Sequence, residues 1–207
     1  MFSKFLNLEG EKQTRILNAA LKEFAQKGYK NASTNEIVKE AEISKGLLFH
    51  YFKNKRELFL FLYDYCLETL IKDFYNKVDL KEKDIIARLK QFSMVKLKML
   101  EKYPDIMRFI ETAYMEDSIE VKNEIEGRNA GLADNNLAKA FEGIDVSKFK
   151  EGIDVEKAIN IIIWTFEGIG NAEIKRAKLD PSSKIDYLKV FKEGEIYIEM
   201  FKKWFYK

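Results

Sequence analysis

"STNEIVKEAEISKGLLFHYFKNKRELF", residues 33–59, decides how the rest of the chain is read. Ser33 is followed three residues later by Glu36, a spacing at which the two side chains can each satisfy a free backbone donor at a helix start. A short helix over about Thr34–Ala41 follows, with Ile37, Val38 and Ala41 turned inward. Ser44 then stands where the N-cap of another short helix belongs, and Leu47, Leu48, Tyr51 and Phe52 offer that helix an apolar surface. Two helices this short bury little alone, so a longer one must pack across them. Upstream, Glu11–Lys27 carries Ile16, Leu17, Ala20, Leu21 and Phe24 on one face and meets its stop at Gly28. Three helices in this order make a helix-turn-helix.

A helix-turn-helix on DNA must put the start of its last helix against base edges and grip phosphates around it. Lys45 can donate to guanine acceptors, and Gly46 lets the backbone approach the groove. Leu47 and Phe49 suit thymine methyl groups. Tyr51 and Lys55 suit phosphates, with Ser33, Thr34 and Asn35 among the flanking donors, and His50 lies between as a groove-edge or phosphate donor. The competing view makes Phe49, Tyr51 and Phe52 all core and the lysines merely solvated. Spacing supports that view for Leu48 and Phe52.

Composition agrees with a binding module on a larger body. The chain has 207 residues, 46% hydrophobic and 34% charged, as in an ordinary globular protein. Residues 1–56 hold 11 Lys and Arg against 6 Glu, a net +5, while the remainder holds 25 against 28, a net −3. A basic quarter on a mildly acidic body suggests a polyanion as partner. The longest clear apolar run, "INIIIWTF", falls well short of a membrane span and is followed by Glu167. Without a membrane span or a signal-peptide core near Met1, a cytoplasmic location is expected.

One cysteine, Cys66, and one histidine, His50, leave no internal disulfide, no cysteine-based zinc site and no His cluster. No cofactor is called for, and an enzyme would have to rely on carboxylates such as Glu111, Glu116 and Asp117. Two other classes stay open at this point: a helical enzyme, and an interaction protein that does not bind DNA.

Downstream the period stays near 3.6, so the fold is expected to be all-α, with about nine helices. After the first three they read as Asn54–Asn76, Glu82–Lys102, Pro104–Met115, Ile119–Phe141, Val155–Lys178 and Pro181–Lys207, the last with Asp180 as N-cap before Pro181. Two copies of "EGIDV", at 142–146 and 151–155, mark a loop. The domains are placed at 1–53 and 54–207.

Residues 15–59, "RILNAALKEFAQKGYKNASTNEIVKEAEISKGLLFHYFKNKRELF", closely resemble the DNA-binding domain of the tetracycline-repressor (TetR) family of bacterial transcriptional regulators. The elements stand in the family's order: "A…F…G", then "T/S…IV..A", "SKGLLFHYF" and "KNKREL". "EKAINIIIWTFEGIGN" resembles the family's eighth helix. Two positions depart from the pattern: Glu42 stands at the turn where glycine is frequent, and Leu47 where Thr or Ser is. Glu42 implies either a turn without a left-handed residue or a small strain cost.

The resemblance implies a ligand-responsive regulator, a repressor in the first instance, that binds a palindromic operator as a homodimer. The last two helices would pair with those of a second copy. Both are apolar over more than one stripe, and Gly168 and Gly194 would allow close approach. A small hydrophobic effector would sit in a pocket among helices four to eight, lined by Tyr63, Phe92, Met99, Met107, Tyr114 and Trp164, and would tilt the fourth helix to release DNA.

Overall fold

The computed structural model describes residues 2–179 and 185–207, and their side chains except at 131–140 and 178. Within them the fold is all-α, as expected. In chain order the helices are α1 (Ser3–Leu6), α2 (Gly10–Asn31), α3 (Thr34–Glu40), α4 (Lys45–Phe52), α5 (Lys55–Lys77), α6 (Ile85–Lys102), α7 (Pro104–Met115), α8 (Ile119–Phe141), α9 (Val155–Leu179) and α10 (Tyr187–Phe205). The only strand-like pairing among the described residues is a bridge between Phe149 and Tyr206. The expected start of the last helix at Asp180 and Pro181 lies outside the described residues. The last helix, α10, starts at Tyr187 and is capped by Asp186, whose side chain accepts from Lys189 N at 3.0 Å.

The chain forms two compact units, residues 1–73 with 100–134, and 74–99 with 135–207. The expected division at 53/54 falls inside the first of them. In that unit Ile16, Ala20 and Phe24 of α2, Ile37 of α3, Leu48 and Phe52 of α4, Leu58 and Phe59 of α5 and Phe109 of α7 are fully buried. Phe59 meets Phe24 edge-on at 5.0 Å and Phe109 at 5.3 Å. Each such ring stabilises the unit by about 1.5–3 kcal/mol through burial, with roughly 0.5–1.5 kcal/mol more from each edge-to-face pair.

Helix α1 was not expected. It is held by Phe5, 1% exposed, whose ring lies 4.8 Å from Phe52 and 5.4 Å from Phe61. Four residues show no helical period, so only the partners across the chain reveal it. Gly28 does interrupt α2, but as a kink: its φ is +69°, and the helix runs on to Asn31. Behind the kink, Tyr29 N donates to Glu116 Oε2 at 2.7 Å, and a Cβ on Gly28 would stand 3.0 Å from that oxygen. Glycine is needed there for both conformation and space.

The second unit packs Ile85, Ile86 and Leu89 of α6, Ala158 and Ile162 of α9, and Ile198 and Phe201 of α10 around Phe149 and Tyr206. Arg88 is buried at its centre. Its guanidinium donates to the carbonyls of Leu80 at 2.9 Å, Glu82 at 2.8 Å and Glu142 at 2.8 Å, so the charge is solvated by backbone rather than water. Gly194 is buried, with a Cβ position 3.1 Å from the Phe166 ring of the same chain, whereas nothing stands within 4 Å of Gly168. Ile161 and Trp164 of α9 and Leu188, Ile196 and Trp204 of α10 remain exposed.

Candidate DNA-binding surface

Helix α3 starts as its sequence requires: Ser33 Oγ accepts from Glu36 N at 3.4 Å. The reciprocal bond comes from elsewhere. Ser33 N donates to Glu23 Oε1 at 2.8 Å, a carboxylate of α2 that is also paired with Lys27 at 3.0 Å. Glu36 is thereby left exposed, and α3 is anchored to α2 rather than capped by its own side chains.

The turn into α4 carries Glu42 at φ +52°, so of the two expectations for this position the strained one is realised. Arg15 steadies the turn, with Nε donating to Ala41 O at 2.9 Å and Nη1 lying 3.7 Å from the Glu42 carboxylate. Ser44 Oγ then accepts from Leu47 N at 3.2 Å and starts the recognition helix.

Packing sorts the side chains of α4 into two faces. Leu48 and Phe52 are fully buried, as expected. Lys45, Gly46 and His50 are exposed, Leu47 and Phe49 half-buried, and no atom outside the local helix comes within 4 Å of a Cβ placed on Gly46. Tyr51 divides itself. The residue is 8% exposed and its ring lies 6.2 Å from Phe5, yet its hydroxyl has no hydrogen-bond partner among the described residues and no described buried polar atom lacks one, so the hydroxyl reaches the surface. On α3, Asn35 is exposed while Ser33 and Thr34 are half-buried.

Lys55 is engaged inside the protein. Its ammonium donates to Lys30 O at 3.2 Å and Ala32 O at 3.1 Å and lies 4.8 Å over the Tyr29 ring. It closes the last turn of α2, which leaves one of its three N–H donors for a phosphate.

A set of polar ties behind the surface was not legible beforehand. Arg56, at the start of α5, donates to Glu120 O at 2.8 Å and Glu124 Oε1 at 2.7 Å on α8. The Tyr29 hydroxyl donates to the Glu120 carboxylate, and burial followed by that carboxylate pushes its pKa well above the usual phenol range. Arg128 bridges Asp64 at 2.8 Å and Glu124 at 2.7 Å. The two guanidiniums, Arg128 foremost, hold the Glu124 carboxyl below its ordinary pKa. These partners stand 64 or more residues apart, except within α8, and no local spacing announces them.

The residues expected to line an effector pocket are divided between the two units. Tyr63, Met107 and Tyr114 belong to the first unit, where the fully buried Tyr63 donates to Asn129 Oδ1 at 2.6 Å and burial raises its pKa. Phe92, Met99 and Trp164 belong to the second; Met99 is buried, Phe92 is half-buried beside Phe74 at 5.2 Å, and Trp164 is 65% exposed. Trp164 therefore faces solvent in the single chain instead of lining an enclosed cavity. A surface concavity of about 780 Å³ beside α2 is lined by polar groups such as Arg15, Lys22, Glu40 and Asp105, and contains none of the six.

Among the described residues no cluster of His, Cys, Asp and Glu could hold a metal ion, and no helix is long and apolar enough to cross a membrane. The pattern of "Bacterial regulatory proteins, tetR family" matches residues 16–62, which span α2 to the first part of α5. The chain is 27% identical over 160 residues to the fatty acid metabolism regulator protein of Bacillus subtilis (strain 168), covering 75% of this chain and 80% of that one. It is 31% identical over 118 residues to the HTH-type transcriptional regulator QacR of Staphylococcus aureus (strain Mu50 / ATCC 700699), covering 55% of this chain and 62% of that protein. In fold it is similar to SmeT, the repressor of the Stenotrophomonas maltophilia multidrug efflux pump SmeDEF, with a TM-score of 0.65, 16% identity, and 98% and 93% of the two chains covered. An exposed basic helix start on a helix-turn-helix, joined to these likenesses, leads to one conclusion: residues 16–62 form a DNA-binding domain of the tetR-family type, and the chain resembles transcriptional regulators rather than enzymes.

Proposed function

We propose that this regulator is a cytoplasmic repressor that binds a palindromic operator as a homodimer and lets go when a small hydrophobic effector binds. The observation that carries the DNA half of this reading is the division of α4: Leu48 and Phe52 are buried, while Lys45, Gly46 and His50 stand free at the surface. Lys45 has no partner among the described residues and is available to a base edge. Ser33, Thr34, Asn35, Leu47 and Phe49 flank it, and the Tyr51 hydroxyl and the remaining donor of Lys55 serve phosphates.

One such module reads too few base pairs for specificity, so two copies are required. The exposed Ile161, Trp164, Leu188, Ile196 and Trp204 of α9 and α10 support these helices as the dimer surface. In functional terms residues 1–53 read DNA, and 54–207 bind the effector and the second copy.

The effector reading rests on the relatives, one of which is named for fatty acid metabolism. It favours a ligand with an extended apolar chain, held by some of Tyr63, Phe92, Met99, Met107 and Tyr114. Its binding acts on α5, whose first residues Lys55 and Arg56 are tied to α2 and α8. A near-complete switch requires about 5.5 kcal/mol of preference for the released state.

The test is titration of a duplex selected by the full-length protein from a random-sequence pool. Lys45→Ala weakens binding by about 10-fold to 100-fold, the value of a good bidentate base contact, with unchanged helicity. A saturating fatty acid releases the duplex. Indifference to Lys45→Ala would remove the assigned recognition helix, and undiminished affinity at saturating ligand would remove the effector reading.

A further inference from the structure

Two residues other than glycine have positive φ among the described residues, and they bracket the recognition helix: Glu42 at +52° before it and Lys53 at +62° after it. Their surroundings differ. The strained Glu42 has a charge partner in Arg15, whereas the exposed ammonium of Lys53 makes no hydrogen bond or ion pair with any described residue.

The backbone around Lys53 explains the conformation but not the side chain. Lys53 N donates to Phe49 O at 2.8 Å and ends α4, and Asn54 N then donates to Phe52 O at 2.7 Å. That second bond, with Lys53 at φ +62° and ψ −53°, is a γ-turn of the rare strained form. Asn54 Oδ1 at once accepts from Glu57 N at 2.8 Å and opens α5. The junction thus demands a conformation that glycine adopts freely, and a lysine there adds a Cβ penalty that its own contacts do not offset. A residue kept against local strain, with a free charge one turn past the exposed His50, is explained by a partner outside the chain.

We propose that Lys53 is a DNA-phosphate contact that grips the backbone at the C-terminal end of the recognition helix, opposite the base-reading end at Lys45. It rests on the DNA-binding reading of α4 and adds a residue to it. With phosphates held at one end and base edges read at the other, the helix is fixed in angle as well as position.

The experiment uses the full chain, a duplex selected by the wild-type protein from a random-sequence pool, and three variants. Lys53→Gly relieves the turn, so the melting temperature rises, while affinity falls about five-fold at 0.15 M salt and the log–log salt slope shrinks by roughly 0.9, as for one lost phosphate. Lys53→Gln shows the same loss of affinity and slope without the gain in melting temperature. Lys53→Arg restores both affinity and slope. If Lys53→Gly is more stable yet binds with unchanged affinity and slope, Lys53 is a turn residue only and the proposal is overturned. If the pool yields no enriched duplex, the DNA reading of α4 fails and the Lys53 contact falls with it.

Discussion

Two sets of aromatic rings in this protein meet different fates. Phe24, Phe59 and Phe109 interlock in the first unit with no exposure at all, whereas Trp164 and Trp204, larger rings on α9 and α10, stand 65% and 51% exposed. The first set closes a core that a single chain completes. The second leaves more apolar surface in water than a finished face would, beside helices whose inner sides, at Ile162, Ile198 and Phe201, are already buried. Burial of the first kind marks a core complete within the chain, and exposure of the second kind is what the proposed pairing of α9 and α10 with a second copy would cover.

The sharpest way to break that contrast is to truncate one ring from each set. Phe59→Ala removes a fully buried ring and lowers unfolding stability by about 3–5 kcal/mol in chemical denaturation. Trp164→Ala shifts the stability of the isolated chain by no more than roughly 0.5 kcal/mol, yet weakens self-association by about 30-fold or more in sedimentation equilibrium. Self-association untouched by Trp164→Ala would show that the exposed rings are not the interface.

Gly28→Ala probes how tightly the closed unit is made. A left-handed alanine costs about 1–2 kcal/mol, and its Cβ would stand 3.0 Å from Glu116 Oε2, so a loss of roughly 1–3 kcal/mol is expected by thermal melting. Glu116→Ala alone also costs stability, because Tyr29 N loses its acceptor, so the steric part is read as the favourable coupling in a double-mutant cycle and the conformational part as what is left. A coupling equal to the whole Gly28→Ala loss would mean that φ at Gly28 is not constraining.

Glu42→Gly gives the smallest effect, with the opposite sign. Relief of the left-handed turn outweighs loss of a 3.7 Å pair with Arg15 that is largely exposed, and stability rises by up to about 1 kcal/mol. A fall in melting temperature would mean that the Arg15 contact is worth more than the strain.

Much of this architecture was legible before any coordinates. The boundaries Pro104–Met115 and Ile119–Phe141 are those expected, because a proline and an uninterrupted apolar pattern act locally. Ser33 and Ser44 cap the helices that their spacing announced. What was not legible depends on distant partners. Phe5 makes α1 a helix by meeting Phe52 and Phe61, Glu23 takes the capping role that Glu36 was expected to fill, and Lys55 spends its ammonium largely on the end of α2.

Periodicity and capping act between residues three or four positions apart, so the longer helices, the caps at Ser33 and Ser44 and the helix-turn-helix could be read from local sequence. Which charges stay free follows from packing across the chain. Lys45 and Lys53 remain available while Lys55, Arg56 and Arg128 are engaged, and that depends on which carbonyls and carboxylates the packed helices bring within about 3 Å, often from 60 or more residues away.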